Sequence, residues 1–418
     1  MLLTSVLVLA AAALPVPESS PSPAPPGAAD GGPKAEADRA DVARLQGLLP
    51  GLPDPAPVLY MLATLKRRLG MPEEAIALLR ECQELHEGFD PSGPTSSLRV
   101  LRGVPEFDRI VEEVHRDFPA VQNARLAFTT TEKDLVPEGL AYDPRRDVFY
   151  MGSLNRRKIV EITPSGVVSD FVPAGRDRLL PVLGIRVDRD GTVWTASWSE
   201  EQERSELLHF DGQGRLLGRY APPEATPHGL NDLVVRRGGD VLVTDSAANK
   251  VYRFDPRSST FSVVPTHRPL EEPNGIALAG DDRHVFVADD FGIVRIDLEH
   301  GTSSELLRPA GTTLSGADGL YFYKGSLIAI QNSFGSARVT TYRLSADGGR
   351  VVEGTVLENR SAFTDMPTTG AIRGESFYFM ANTQIDNLDK DTLVDPGLLE
   401  PVWIAVLPLP QAVPAARP

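Results

Sequence analysis

Glu138, Asn231, Asn274 and Asp318 each open an apolar run, in PEGLAYD, LNDLVV, PNGIAL and ADGLYF, and they hold the same place in four copies of one recurring pattern. Two further copies put Leu183 and Thr369 at that place. Two carboxylates and two carboxamides, with a combined charge of about −2, suit a hard divalent cation that prefers oxygen and keeps some of its water. Ligands drawn from four separate segments form a wide, adaptable ring, which favours calcium over magnesium. Zinc would recruit His or Cys, and neither occurs at these places. Any one of these residues alone is ordinary turn chemistry, since Asn-Gly and Asp-Gly tolerate unusual backbone angles. The common register is what points to ligands.

Around this set, Asp232 stands beside Asn231 and is expected near the metal or its water, and His228 lies three residues ahead, near the channel mouth. An imidazole there could shuttle a proton, although a lone loop His is as readily structural. Leu183 is the apolar member of the ring. Asp245, Asp289 and Asp290 end apolar runs in VTDS and VADD and read as turn residues; Trp194 and Trp198 read as packing residues. The glycine pairs lack phosphate-loop spacing, and neither a G-x-S-x-G elbow nor an H-E-x-x-H motif occurs.

The elements that must carry these residues follow from the repeat. Six copies run VPEGLAYDPRRDVFYMGS, PVLGIRVDRDGTVWTAS, HGLNDLVVRRGGDVLVTDS, EPNGIALAGDDRHVFVADD, GADGLYFYKGSLIAIQNS and MPTTGAIRGESFYFMANT, spaced 43 to 51 residues apart. Each gives two strands around a turn, and most continue into a third (KIVEI, KVYRFD, GIVRIDL, VTTYRL) with room for a fourth. That period predicts an all-β, six-bladed β-propeller over about 120–408, whose innermost strands bring equivalent residues to one axis. The sixth copy ends in PVWIAVLPLP, so ARLAFTTTE, ahead of the first copy, is expected to supply its outer strand and close the ring.

Residues 40–119 have a helical period instead. Leu59, Leu62 and Leu65 line one face; after Gly70, Ala75, Leu78, Leu79 and Cys82 line the next. The pair resembles one tetratricopeptide repeat, with PEFDRIVEEVHRDF following. So short an array reads as a small helical cap on the propeller, with a protein-binding groove as the sharper alternative. Residues 19–39 are a Pro/Ala-rich linker and 409–418 a tail. Residues 1–18 read as a signal peptide, with an apolar Leu2–Leu14 stretch ending in alanines, which implies export to a periplasmic or extracellular space.

Composition narrows the partners. A net charge of −15 without a basic run argues against nucleic acid, and no stretch is long enough to span a bilayer. With Cys82 as the only cysteine, an intrachain disulfide is impossible.

The propeller residues carry a resemblance to the regucalcin/gluconolactonase (senescence marker protein) family, and a more distant one to the paraoxonases. In regucalcin-like proteins a Glu opening the first blade, an Asn in a PNG turn and an Asp in a later DG turn bind the divalent ion; Glu138, Asn274 and Asp318 correspond. Asn231 corresponds to an Asn that contacts substrate or a metal-bound water, and LNDLVV resembles the paraoxonase segment where that Asn binds calcium. The resemblance implies a metal-dependent hydrolase, typically opening lactones, with Asp318 both ligand and the best candidate to help activate water, and Asn231 and Asn274 binding the metal and orienting the carbonyl. The sequence departs at two places. His228-Gly229-Leu230 stands where sugar lactonases have an Arg, and Leu183 stands where paraoxonases have their proposed base. Both departures turn the expectation from sugars toward a small hydrophobic lactone or ester. The alternative is a non-catalytic, calcium-stabilised propeller that binds a small molecule or a protein.

Overall fold

The computed structural model describes residues 33–52, 54–223, 227–362 and 364–410. The signal peptide, most of the linker and the tail from 411 lie outside the described residues. Among those described, no helix is long and apolar enough to cross a membrane.

The strands form six blades around one axis. Blade 1 runs from its inner strand Pro137–Asp143 outward through Val148–Ser153 and Ile159–Ile162 to Val168–Val172. Blades 2, 3 and 4 repeat this order, with inner strands Val182–Val187, Leu230–Val235 and Ile276–Leu278. Blade 5, with inner strand Ala317–Tyr323, gains a fifth strand at its edge because Val121–Gln122 pairs with Glu358 and Asn359. Blade 6 takes three strands from the C-terminal part, Gly370–Arg373, Ser376–Met380 and Trp403–Pro408, and its outermost from Arg125–Thr129. The ring closes as the sequence requires, with the outermost strand of blade 6 drawn from the segment ahead of blade 1.

Alternation along the strands fills the layers between blades. Tyr150, Phe171, Ile185 and Phe210 pack between blades 1 and 2, and Phe286, Leu320, Leu327 and Tyr342 between blades 4 and 5. Trp194 stacks on His209 at 3.9 Å within this packing, as expected of it.

Among the described residues, four α-helices precede the propeller: α1 (Pro33–Leu48), α2 (Ala56–Arg68), α3 (Pro72–Glu84) and α4 (Pro105–Asp117). Helix α1 begins at Pro33, inside the stretch expected to be linker. Prolines near the first turns of α2, α3 and α4 cost no hydrogen bond there. Helix α2 is apolar on two sides: Leu62 and Leu65 face Val42 and Leu45 of α1, while Leu59 and Ala63 face Ala75 and Leu79 of α3. This helical segment is a cap docked on the propeller. Phe334, from a blade 5 loop, sits inside its core beside Tyr60 and Phe89. Arg308 pairs with Asp54 and Glu87, and Arg44 of α1 with Glu271.

Besides the extra edge strand of blade 5, one more element has no counterpart in the repeat. Between the second and third strands of blade 6 an insertion carries a small hairpin, Leu388–Asp389 with Thr392–Leu393. It and the cap both reach the side of the ring where the inner strands begin.

Candidate functional site

The inner strands bring the six ring positions together by a repeated backbone device. In blades 1, 2, 3 and 5 the register slips where the strand starts, between Pro137 and Leu140, Val182 and Ile185, Leu230 and Leu233, and Ala317 and Gly319. A bulge there holds one residue out of the ladder and re-aims it, and the residues held are Glu138, Leu183, Asn231 and Asp318. In every blade but the third, where Asp232 follows Asn231, the next residue is a glycine that allows the adjoining blade to come close. A Cβ on Gly139 would lie 2.0 Å from the Leu183 carbonyl, and one on Gly275 would lie 2.4 Å from that of Asp318. Contacts continue round the circle, with Thr244 Oγ1 donating to the Asn274 carbonyl at 2.8 Å and Thr369 Oγ1 donating to that of Glu138.

The two carboxylates of the ring are buried, with 6% of Glu138 and 8% of Asp318 exposed. Glu138 Oε2 and Asp318 Oδ1 are buried oxygens without a hydrogen-bond partner. Burial holds the Glu138 carboxyl well above the usual range, and the charges of Asp318 and Asp232 add to the rise. Burial likewise pushes Asp318 up to about 7; the Asn332 carboxamide acts against the rise, the charge of Asp232 adds to it, and the Asn274 carboxamide opposes it. Two buried, unpartnered carboxylate oxygens framed by carboxamides have the chemistry that suits a hard divalent cation, which would offset the repulsion among them. The residues present therefore fit calcium, with Glu138, Asn231, Asn274 and Asp318 to hold it. Among the described residues no three His, Cys, Asp or Glu side chains form a metal cluster, so the carboxamides are essential to such a site.

Asp232 stands beneath this ring. Arg186 Nη2 donates to its Oδ2 at 2.7 Å and the Leu233 amide to its Oδ1 at 2.8 Å, so its oxygens are engaged and its charge acts at a distance. His228 is placed elsewhere: its Nδ1 lies 2.6 Å from Asp245 Oδ2, and it lines neither cavity at the ring. Asp245 accepts from the Ala248 amide and Asp289 from those of Phe291 and Gly292, within their own turns as expected, while Asp245 also accepts from the distant Gly229 amide and Asp290 lines the smaller cavity at the ring.

Two adjoining cavities meet at Trp198, Asp318 and Ser333. The larger, about 530 Å³, holds Glu138 and Asp318 against a wall that includes Leu154, Leu183, Met366, Ile385 and Leu388. Thr95 of the cap and Lys390 of the blade 6 insertion also line it. The smaller, about 270 Å³, holds Asn231, Asn274 and Asp318 with Glu272 and Asp290. Trp198 packs against Gly229 at the entry to blade 3, as expected of it, and also forms the wall common to both cavities. Its strand continues past the layer that Trp194 fills, so its ring reaches the open side.

Asn332 is the residue that sequence reasoning missed. Its Nδ2 donates to Asp318 Oδ2, the oxygen that Asp318 does not leave unpartnered. The signal available was its place at the end of the second strand of blade 5, in IAIQNS, where other blades put the polar residues of VTDS and VADD.

The sequence matches no family model and no curated protein sequence. Solved structures similar to the propeller include a gluconolactonase from Xanthomonas campestris, 17% identical over 70% of this chain and 91% of that one, with a TM-score of 0.48. They also include an inactive variant of virginiamycin B lyase from Staphylococcus aureus (16% identity; 68% and 99% covered; TM-score 0.48). A third is an aldose sugar dehydrogenase from Streptomyces coelicolor (14% identity; 69% and 98%; TM-score 0.47). These neighbours have a fold in common and not an activity.

Proposed function

We propose that this protein is an exported, calcium-dependent hydrolase that opens small, hydrophobic lactones or esters at the propeller axis. The observation that carries the reading is a pair of buried carboxylates, each with an unpartnered oxygen, at the base of an open cavity with an apolar wall. Calcium held by Glu138, Asn231, Asn274 and Asp318 would supply Lewis-acid polarisation of a carbonyl. Leu154, Leu183, Met366 and Leu388 would hold the apolar body of the substrate and exclude water from it. Asn231 and Asn274 would orient the carbonyl from the adjoining cavity. As water attacks the carbonyl carbon, Asp318 would take its proton and return it to the departing alkoxide. Export rests on the apolar Leu2–Leu14 stretch.

The test is hydrolysis by the full mature chain across a panel from sugar lactones to long-chain acyl lactones, with calcium and with chelator. Turnover should favour hydrophobic members, vanish with chelator, and fall by at least a hundredfold in Asp318→Asn. Calcium binding without turnover of any panel member would replace this reading with that of a binding module.

A further inference from the structure

The blade 5 loop that begins at Asn332 belongs to the site and to the cap at once. Asn332 Nδ2 donates to Asp318 Oδ2, and Ser333 lines both cavities. The next residue, Phe334, leaves the propeller: its ring lies 4.6 Å from Phe89 and 5.6 Å from Tyr60, inside the core of the cap. The Asp90 amide donates to the Phe334 carbonyl at 3.2 Å. Phe334 and Gly335 both take left-handed backbone, with φ of 56° and 73°. Close approach fixes the loop from two sides, since a Cβ on Gly335 would lie 1.7 Å from the Asp90 carbonyl, and one on Gly93 would lie 1.8 Å from that of Gly335. Four consecutive residues therefore run from the cap's core to the carboxylate at the axis, and little in that path can shift independently.

We infer that Asn332 is a positioning residue for Asp318, and that the helical cap sets its placement through Phe334. The inference rests on Asp318 being a metal ligand, as in the proposed function. By engaging Oδ2, Asn332 fixes the rotation of the carboxylate and leaves Oδ1 directed as a single donor. Partners of this kind, one bond removed from the ion, commonly govern affinity by ten- to hundredfold. The cap then acts as part of the site and not as an attached module, because loosening Phe334 would release the carboxamide that orients Asp318.

The experiment is calorimetric titration of the full mature chain with calcium, beside its melting temperature in chelator. Asn332→Leu, which keeps the branching at Cγ and loses the donor, should bind calcium ten- to hundredfold more weakly with its melting temperature in chelator little changed. Asn332→Ser, which retains a hydroxyl donor, should recover part of that loss. Phe334→Leu should weaken binding in the same direction, by less. Wild-type affinity in Asn332→Leu would overturn the positioning role, and wild-type affinity in Phe334→Leu would overturn the role of the cap. Absence of calcium binding in the wild-type chain would instead remove the metal reading on which both depend.

Discussion

At the scale of single residues, the ring sets stability against charge. Glu138 is buried near Asp318 and Asp232, and one of its oxygens has no partner. Like charges gathered in a desolvated place oppose folding unless a cation joins them. Glu138→Gln removes one charge at constant volume, so in chelator it should melt higher than wild type. Roughly 1 kcal/mol of relief would appear as a rise of about 2–4 °C, the scale found for domains of 150–250 residues. With calcium the order should reverse, because wild type gains about 2.7 kcal/mol at a hundredfold excess over its Kd while a weaker binder gains less. Thermal scans in both conditions check this, and a Gln variant that melts lower in both would make Glu138 a packing residue. The ring was legible in sequence because six copies share one register. Asn332 was not, because its partner lies on a different strand and its own segment reads only as the polar end of a strand.

Elements decide how the cap is held, and one joint is sensitive to pH. Asp90 lies between the cap helices and the propeller, accepting from Ser92 and, at 2.8 Å, paired with His115 Nε2 of α4. Burial works to raise the Asp90 carboxyl, but the hydrogen bonds from His115 and Ser92 outweigh it and hold the group below its ordinary range. A depressed carboxyl contributes stability that is fully present above its unfolded value, about 3.9, and is lost as pH falls through the folded value. The cap should therefore loosen below about pH 4. Asp90→Asn should show the same loosening at neutral pH, at a cost of about 1–3 kcal/mol. Limited proteolysis reads this directly: cleavage between α3 and α4 should appear early in the variant. Equal protection in variant and wild type would leave Asp90 without that role. The helical period announced the cap, but its docking lay beyond sequence reading, since Phe334 sits in a loop between two blade 5 strands where nothing marks it as a core residue of a distant helical unit.

For the whole molecule, closure of the ring is the decisive long-range contact. The six-fold period gave the blade number and the strand order, and the shortfall of one strand in the last copy showed where the ends must meet. The blade 6 insertion and the extra strand Val121–Gln122 break the period, and a repeat argument has no means to place what is not repeated. Closure depends on Arg125–Thr129 pairing with Trp403–Pro408, through Arg125 with Val406, Leu126 with Ala405 and Phe128 with Ile404. Phe128 anchors that strand in the layer between blades 6 and 1, where it packs near Phe149 with Met380 and Ile404. Phe128→Ala should cost about 3 kcal/mol, the low end for a buried aromatic given that the position retains some exposure. The loss should be felt by every blade, since an opened ring exposes two edges at once and each blade is buttressed only by its neighbours. Denaturant unfolding followed by tryptophan fluorescence, from Trp194 and Trp198 in blade 2 and Trp403 in blade 6, tests this. A single transition displaced to lower denaturant would confirm closure as a property of the whole ring. An early transition confined to blade 6, with the rest unfolding as in wild type, would show that the blades stand without it.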